Sequence, residues 1–421
     1  MSEKRKDSKG RVLRNGEVQR ADGKYMFRYT DLDGTRKTIY SWRLVDTDAM
    51  PNGKKDTEAL RDMEKRINRD LDDGILTHQA KNLTINDMFD LMMETKEGLR
   101  ESTRCLYIGL YNNHLREAIG YRTLDSVKFS QLKKLYLSIL NEGRLKPSSV
   151  IRLHVVLYQI FDLAVNDDII RKNPAAGVPE SIKQLTNIDN KRHALTEEQQ
   201  ERFISYVYST GKFRRWGPLF TVMLGTGMRV GEALGLRWCD CDFDAMKISV
   251  NHTIRYGQFE AGGYGYRIEQ PKTSAGIREI PMFLDVYNAL LEMKRVKSRQ
   301  TGKPFEVNGY TDFIFLNNNG KVFTNATVFH TLHSISDEYN KEELLIAKNE
   351  NRDPCLLPKF SSHILRRTFC TRMCENEPNV KVIQEVMGHK RIATTMDTYN
   401  EATDRKKRET FSKLEGKIKL A

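Results

Sequence analysis

Two arginines, a lysine, two histidines and a tyrosine in the second half of this 421-residue chain are of the types that handle phosphate. Arg229 stands in Thr226-Gly-Met-Arg-Val-Gly-Glu232, a glycine-punctuated turn leading into an apolar helix. Lys272 lies at the mouth of the turn Pro271–Gly276, between alternating strands expected at Tyr264–Gln270 and Ile277–Pro281, which together read as a ribbon. His363-Ile-Leu-Arg366 sets a histidine and an arginine three apart, on one face of a helix. His389 follows Val386-Met-Gly, and Tyr399 comes 33 residues after Arg366. Cutting a phosphodiester without a metal requires side chains to neutralise the charge that develops on its oxygens. Guanidinium suits this because it binds phosphate oxygens bidentately and keeps its proton. Taken singly, each residue has a plainer reading: a surface arginine, an exposed lysine, a helix-capping histidine, a core or surface tyrosine.

Other chemistries fit less well. A metal-dependent nuclease or transposase needs clustered carboxylates, and no Asp/Glu set is interleaved with these basic residues. Cys370 and Cys374 lie one helical turn apart with His363 and His389 nearby, which raises a zinc site. The intervening residues fit phosphate chemistry better, so no metal and no cofactor is expected. Cys239-Asp-Cys241 is too short for a Cys-x-x-Cys hairpin, and six cysteines in a chain this long form no secreted disulfide framework.

The elements that must hold these residues fall into segments. Residues 1–82 start with a polar tail. Alternating runs at Lys24–Thr30 and Arg36–Trp42 flank the Asp-Gly hairpin signal of Asp31–Gly34. A strand near Arg11–Arg14 would complete a three-stranded sheet. A helix from about Thr57 to Leu71 would back it, with Leu60, Met63, Ile67 and Leu71 on one face. The free sheet face is expected to show Arg28, Arg36 and Lys37 to a DNA groove. Residues 83–182 read as all-helical. Thr84-Ile-Asn-Asp87 is a capping-box-like start, and further helices are expected from Ser102 or Thr103, Phe129–Asn141 and Ser148–Val165, with Asn173-Pro174 closing the block. Arg104, Arg144, Lys146 and Arg152 are candidate phosphate contacts there. Residues 183–402 mix helices with the ribbon, and 403–421 form a tail with Phe411, Leu414 and Ile418 on one face. The fold class expected is therefore multidomain α+β: a small sheet-plus-helix domain, an all-helical domain and a mixed α/β domain.

Charge narrows the partner. Sixty-nine Lys+Arg against 56 Asp+Glu give +13 and a pI near 9.3, an excess that points to a polyanion, with nucleic acid ahead of an acidic membrane. Residues 1–43 carry a net +6 and residues 405–419 a net +5. No run approaches the ~18 uninterrupted apolar residues of a membrane span, and the basic start has no apolar run behind it, so a soluble, intracellular protein is expected.

The ordered set Arg229, Lys272, His363-x-x-Arg366, His389 and Tyr399 strongly resembles the tyrosine recombinases, the lambda-type integrases. Six matching positions span 171 residues. The resemblance covers the whole chain, since those enzymes also string arm-binding, core-binding and catalytic domains in series. The hairpin-rich amino terminus most resembles integrases of conjugative transposons. The resemblance implies that Arg229 and Arg366 clamp the non-bridging oxygens, and that Tyr399 attacks phosphorus to give a 3′-phosphotyrosyl bond. Lys272 would protonate the leaving 5′ oxygen, His363 would help deprotonate the tyrosine and order the phosphate, His389 would hydrogen-bond a phosphate oxygen or the leaving group, and Glu232 would orient Arg229 without reacting. Implied partners are double-stranded DNA at core and arm sites and three more copies in a tetramer linked by the tail in trans. An excisionase and a DNA-bending host protein are implied as well, in a bacterial cytoplasm with no membrane. Three departures stand out: Met387 for the commoner leucine before Gly388-His389, Gly276 in the turn after Lys272, and Asn400-Glu401 after the tyrosine. None removes a catalytic group. The alternatives are a DNA-relaxing topoisomerase of the same chemistry, a DNA-binding regulator without catalysis, and an RNA-binding protein, for which no RNP-like aromatic signature is present.

Overall fold

The computed structural model describes residues 5–32, 34–74, 82–177, 193–259, 263–271, 274–297, 304–393 and 395–400. They fall into two compact units, residues 1–190 and 191–421.

The first unit opens with the antiparallel sheet β1 (Glu17–Gln19), β2 (Tyr25–Thr30) and β3 (Arg36–Ser41). Its first strand is not at Arg11–Arg14. Arg11 is instead committed to Asp7 and Asp48, and Val12 reaches only an isolated bridge to Lys6. The β2–β3 hairpin turns at Asp31–Gly34 as expected, with the Gly34 N–H donating to Asp31 O. Helix α1 (Leu60–Asp72) starts three residues later than expected and packs Leu60 on Tyr25, Phe27 and Leu44. The register pairs Thr30 with Arg36 and Tyr29 with Lys37. Because strand side chains alternate, Arg36 and Lys37 cannot share a face. Arg28 and Arg36 are exposed on the outer face, whereas Lys37 lies on the side of Tyr29 and Ile39 and pairs with Asp31.

Four helices follow: α2 (Ile85–Thr95), α3 (Glu101–His114), α4 (Phe129–Asn141) and α5 (Pro147–Asn166). Thr84 and Asp87 close a reciprocal capping box on α2. By length and composition α5 could cross a membrane, but its Leu153, Val156, Leu157, Ile160 and Phe161 are fully buried in the bundle core. Arg144, Lys146 and Arg152 are exposed around the start of α5. Arg104 is partly buried and donates to Met93 O at the end of α2 (2.8 Å). Arg171 holds the bundle to α1 through two hydrogen bonds to Asp70 (2.9 and 2.7 Å).

The second unit is mixed. Helix α6 (Glu197–Ser209) is capped by Thr196 with Gln199, and α7 (Gly217–Thr226) and the short α8 (Val230–Gly235) follow. Strands β4 (Cys241–Asp242) and β5 (Lys247–Val250) lead to the ribbon β6 (Thr253–Phe259) and β7 (Gly263–Glu269), and then to β8 (Arg278–Pro281). The ribbon differs from expectation: β7 pairs with β6, and β8 leaves it to join β4 and β5 in a separate antiparallel sheet. Pairing with β6 matches Ile254 to Ile268 and Tyr256 to Tyr266, while Ile280 of β8 pairs with Ile248 in the core. A 3₁₀ turn at Ser274–Gly276 carries the chain between the two sheets. Helices α9 (Leu284–Lys297), α10 (Asn325–Glu350), α11 (Ser362–Asn376), α12 (Val380–Met387) and α13 (395–400) follow among the described residues. Its core centres on Phe203, Phe220, Phe315, Leu332 and Leu365.

Candidate active site

Arg366 points inward from α11 and is 4% exposed. It donates Nη1 to Gly227 O (2.7 Å) and Nη2 to Met387 O. Those carbonyls end α7 and α12, so the cation sits where two helix C-termini concentrate partial negative charge. Each helix stops on a left-handed glycine, Gly227 and Gly388, both at φ +63°. A side chain is excluded at both: a Cβ on Gly227 would lie 2.4 Å from Phe369 Cδ1, and one on Gly388 would lie 2.8 Å from Ala275 O. Burial, with the positive charge of Arg229, pulls the pKa of Arg366 down to about 9, still protonated at neutral pH.

Arg229 opens α8 two residues past Gly227, with its side chain 43% exposed. Glu232, one turn on, accepts from the Arg229 backbone N–H (2.9 Å) and from its Nη1 (2.8 Å). Its other partner was not singled out from the sequence. Arg278 Nη2 donates to Glu232 Oε2 (2.9 Å), Nε to Val386 O (2.7 Å) and Nη1 to Gly276 O (3.2 Å). Burial pushes the Glu232 carboxyl up, but the Arg278 and Arg229 guanidiniums outweigh it and hold it below the usual carboxylate range. One signal was present in the sequence: β8 alternates, so Arg278 shares the inward side of Ile280, and a buried arginine demands a carboxylate.

His389 follows Gly388 and is half-buried, its Nδ1 2.9 Å from Thr395 Oγ1. Burial first, then Arg366, Arg229, Arg278 and His363, depress its pKa to about 4, so it is neutral at pH 7. His363 is exposed in the first turn of α11. Tyr399, on α13, is partly buried against Phe369, Cys370, Cys374, Ile383 and Met387. The two cysteines thus serve as packing under the tyrosine, and all six are free thiols. Among the described residues no three His, Cys, Asp or Glu side chains cluster to hold a metal. Lys272, Thr394 and the tail 403–421 lie outside the described residues.

Arg229, His363, Arg366 and His389 are thus gathered at the loops after α7 and α12 and on α11. Tyr399 packs on the same α11 and α12. Arg229 and Arg278 share the Glu232 carboxylate, while Arg366 pairs only with backbone carbonyls, which leaves an excess of positive charge with exposed donors on Arg229. Such a pocket has the charge and donors to bind a phosphate-like anion.

Comparisons with known proteins agree with that class. Residues 193–406 match the phage integrase family, and residues 1–71 match the DNA-binding domain of Tn916 integrase. The chain is 32% identical to the transposase from transposon Tn916 of Enterococcus faecalis over 405 residues, 96% of this chain and 95% of that one. It is also 32% identical, over the same shares, to the transposase from transposon Tn1545 of Streptococcus pneumoniae. A solved structure of the Tn1549 transposon integrase in complex with transposon right end DNA superposes with a TM-score of 0.66 at 29% identity, covering 78% of this chain and all of that one. The chain belongs to the phage integrase family of tyrosine recombinases. It is a DNA-binding, DNA strand-exchange enzyme of site-specific recombination.

Proposed function

We propose that this recombinase integrates and excises a mobile element by cutting one DNA strand at a time at the Arg229–Arg366 pocket. The observation that carries this is the buried Arg366, held by two helix ends beside Arg229 and the neutral His389. Arg229 and Arg366 bind the non-bridging oxygens of the scissile phosphate. Removing one such donor costs on the order of 10²–10³ in rate. The Tyr399 oxygen attacks phosphorus and its proton passes to His363. A 3′-phosphotyrosyl bond forms, the bond to the 5′ oxygen breaks, and Lys272 supplies the proton that oxygen needs. His389, neutral, hydrogen-bonds a phosphate oxygen. The covalent link conserves the phosphodiester, so the 5′ hydroxyl of a second strand reseals it through a Holliday junction with no ATP and no metal.

The same reading divides the chain into an arm-binding domain (1–82), a core-binding domain (83–182), a catalytic domain (183–402) and a tail (403–421). Arg28 and Arg36 would contact arm DNA from the outer sheet face. Arg144, Lys146 and Arg152 would contact core DNA, and Arg104 and Lys37, each already holding a protein partner, would act on DNA only indirectly. The working form would be a tetramer on DNA in a bacterial cytoplasm, assisted by an excisionase and a DNA-bending protein.

The test uses labelled, nicked duplexes made from the ends of the element that encodes the protein. A covalent adduct at one 3′ end, resolved by denaturing electrophoresis and lost in Tyr399→Phe, is expected without added metal or nucleotide. An adduct that survives Tyr399→Phe would identify another nucleophile, and tight binding with no adduct would return the protein to a regulator.

A further inference from the structure

We propose that Arg278 is a positioning residue for strand cleavage, one guanidinium that locks Arg229, the Ser274–Gly276 turn and the Gly388–His389 corner into a single geometry. The proposal rests on the cleavage reading above. Arg278 itself is too buried to bind DNA, its side chain being 5% exposed. It acts instead through three donations to three separate stretches of chain. The Glu232 carboxylate that it holds is the one that fixes the Arg229 guanidinium. Gly276 O, which it also holds, lies four residues past Lys272. Val386 O lies in the last turn of α12, just before Gly388 and His389.

The approach is close enough to be exacting. A Cβ on Gly388 would fall 3.1 Å from both Cδ and Nη1 of Arg278, so the corner that carries His389 is moulded on this side chain. Arg278 in turn is anchored by the β5–β8 register, where it pairs with Val250, two residues from the core pair Ile248–Ile280. The position of the site is thereby tied to a sheet edge. Lysine cannot replace it: a single ammonium keeps the ion pair with Glu232 but lacks the planar fork that reaches three acceptors at once.

Misplacement of about 1 Å in a reacting group costs up to roughly a hundredfold in rate. Arg278→Lys is therefore expected to bind the nicked duplex as tightly as the wild type and to melt only modestly lower, because Val386 O and Gly276 O lose their donor. Its single-turnover cleavage should be slower by roughly tenfold to a hundredfold. Glu232→Gln added to it should cost much less than Glu232→Gln alone, since both act through Arg229. Arg278→Met is the harsher variant; where it fails to fold, Arg278→Lys decides. Cleavage within twofold of wild type, or a rate loss matched by equal losses of DNA affinity and melting temperature, overturns the proposal.

A second readout does not depend on cleavage. In full-length protein with isotope-labelled arginine, the guanidinium NMR signal of Arg229, assigned by its loss in Arg229→Lys, should report slow rotation in the wild type and fast rotation in Arg278→Lys. An unchanged Arg229 signal overturns the positioning role. A changed signal in a protein that forms no tyrosine-dependent adduct would sustain it while removing the cleavage reading.

Discussion

Arg366 and His389 belong to one site, and burial disfavours the charged form of each, with opposite results. Arg366 keeps its proton because a guanidinium starts so high, and two helix-terminal carbonyls accept from it. His389 loses its proton, since its pKa falls from 6.5 to about 4. The consequence for stability has a definite sign. Between pH 6.5 and about 4 the unfolded chain binds a proton at His389 that the folded chain refuses, so stability rises with pH across that window. The melting temperature should therefore fall as pH drops from 6.5 towards 4, and His389→Asn should flatten that part of the profile. Thermal melts of both proteins at half-unit pH steps check this; parallel profiles would mean that His389 is already charged in the folded state. A bound phosphate would oppose the depression, because an anion favours the imidazolium.

At the scale of elements, the site is built where helices stop. Gly388 must hold φ +63° and has no room for a Cβ beside Ala275 O and Arg278. Gly388→Ala should cost about 1–2 kcal/mol from the left-handed backbone alone, and more from the clash. Cleavage should fall further than melting does, because His389 and the Met387 carbonyl that holds Arg366 move with the corner. Urea unfolding together with nicked-duplex cleavage checks both, and a variant with normal melting and cleavage would show that the corner adapts freely. Elements fixed by short-range rules were readable from the residues: the capping box at Thr84, the Asp31–Gly34 hairpin, and the bundle helices to within a few residues. Elements that depend on which strand finds which partner were not. The ribbon was read as β7 with β8, but β7 returned to β6 because apolar cross-strand pairs form there. Lys37 was set beside Arg36 against the alternation of the strand. The alternation of β8 marks the side of the strand on which Arg278 lies, but no local pattern names Glu232 and Val386, its partners 46 and 108 residues away along the chain.

At the scale of the whole molecule, the question is how four copies would hold one another. The second unit carries a groove of about 950 Å³ lined by apolar Ile204, Leu224, Val286, Phe369 and Met373. Four acids, Glu201, Asp285, Glu292 and Glu377, stand along it against a single Arg372. Residues 405–419 have the complementary make-up in sequence, with a net charge of +5 and Phe411, Leu414 and Ile418 at helical spacing. If the tail of one copy fills the groove of the next, apolar contact gives the affinity and opposite charge selects the partner. Deleting 403–421 should then leave DNA binding by a single copy intact and weaken tetramer formation on paired core sites. Reversing charge at the groove with Asp285→Lys and Glu292→Lys should weaken it too, and more at low salt than at high salt, since exposed charges are screened. Sedimentation of the protein–DNA complexes separates the cases. Assembly unaffected by the deletion removes the tail from the interface, whereas assembly lost on deletion but indifferent to the groove charges places its acceptor elsewhere on the neighbouring copy. Because Phe369 lines the groove and also packs in the cluster that holds Tyr399, a tail seated there would bear on the packing of Tyr399 through Phe369 and, on the cleavage reading, would couple assembly to cleavage.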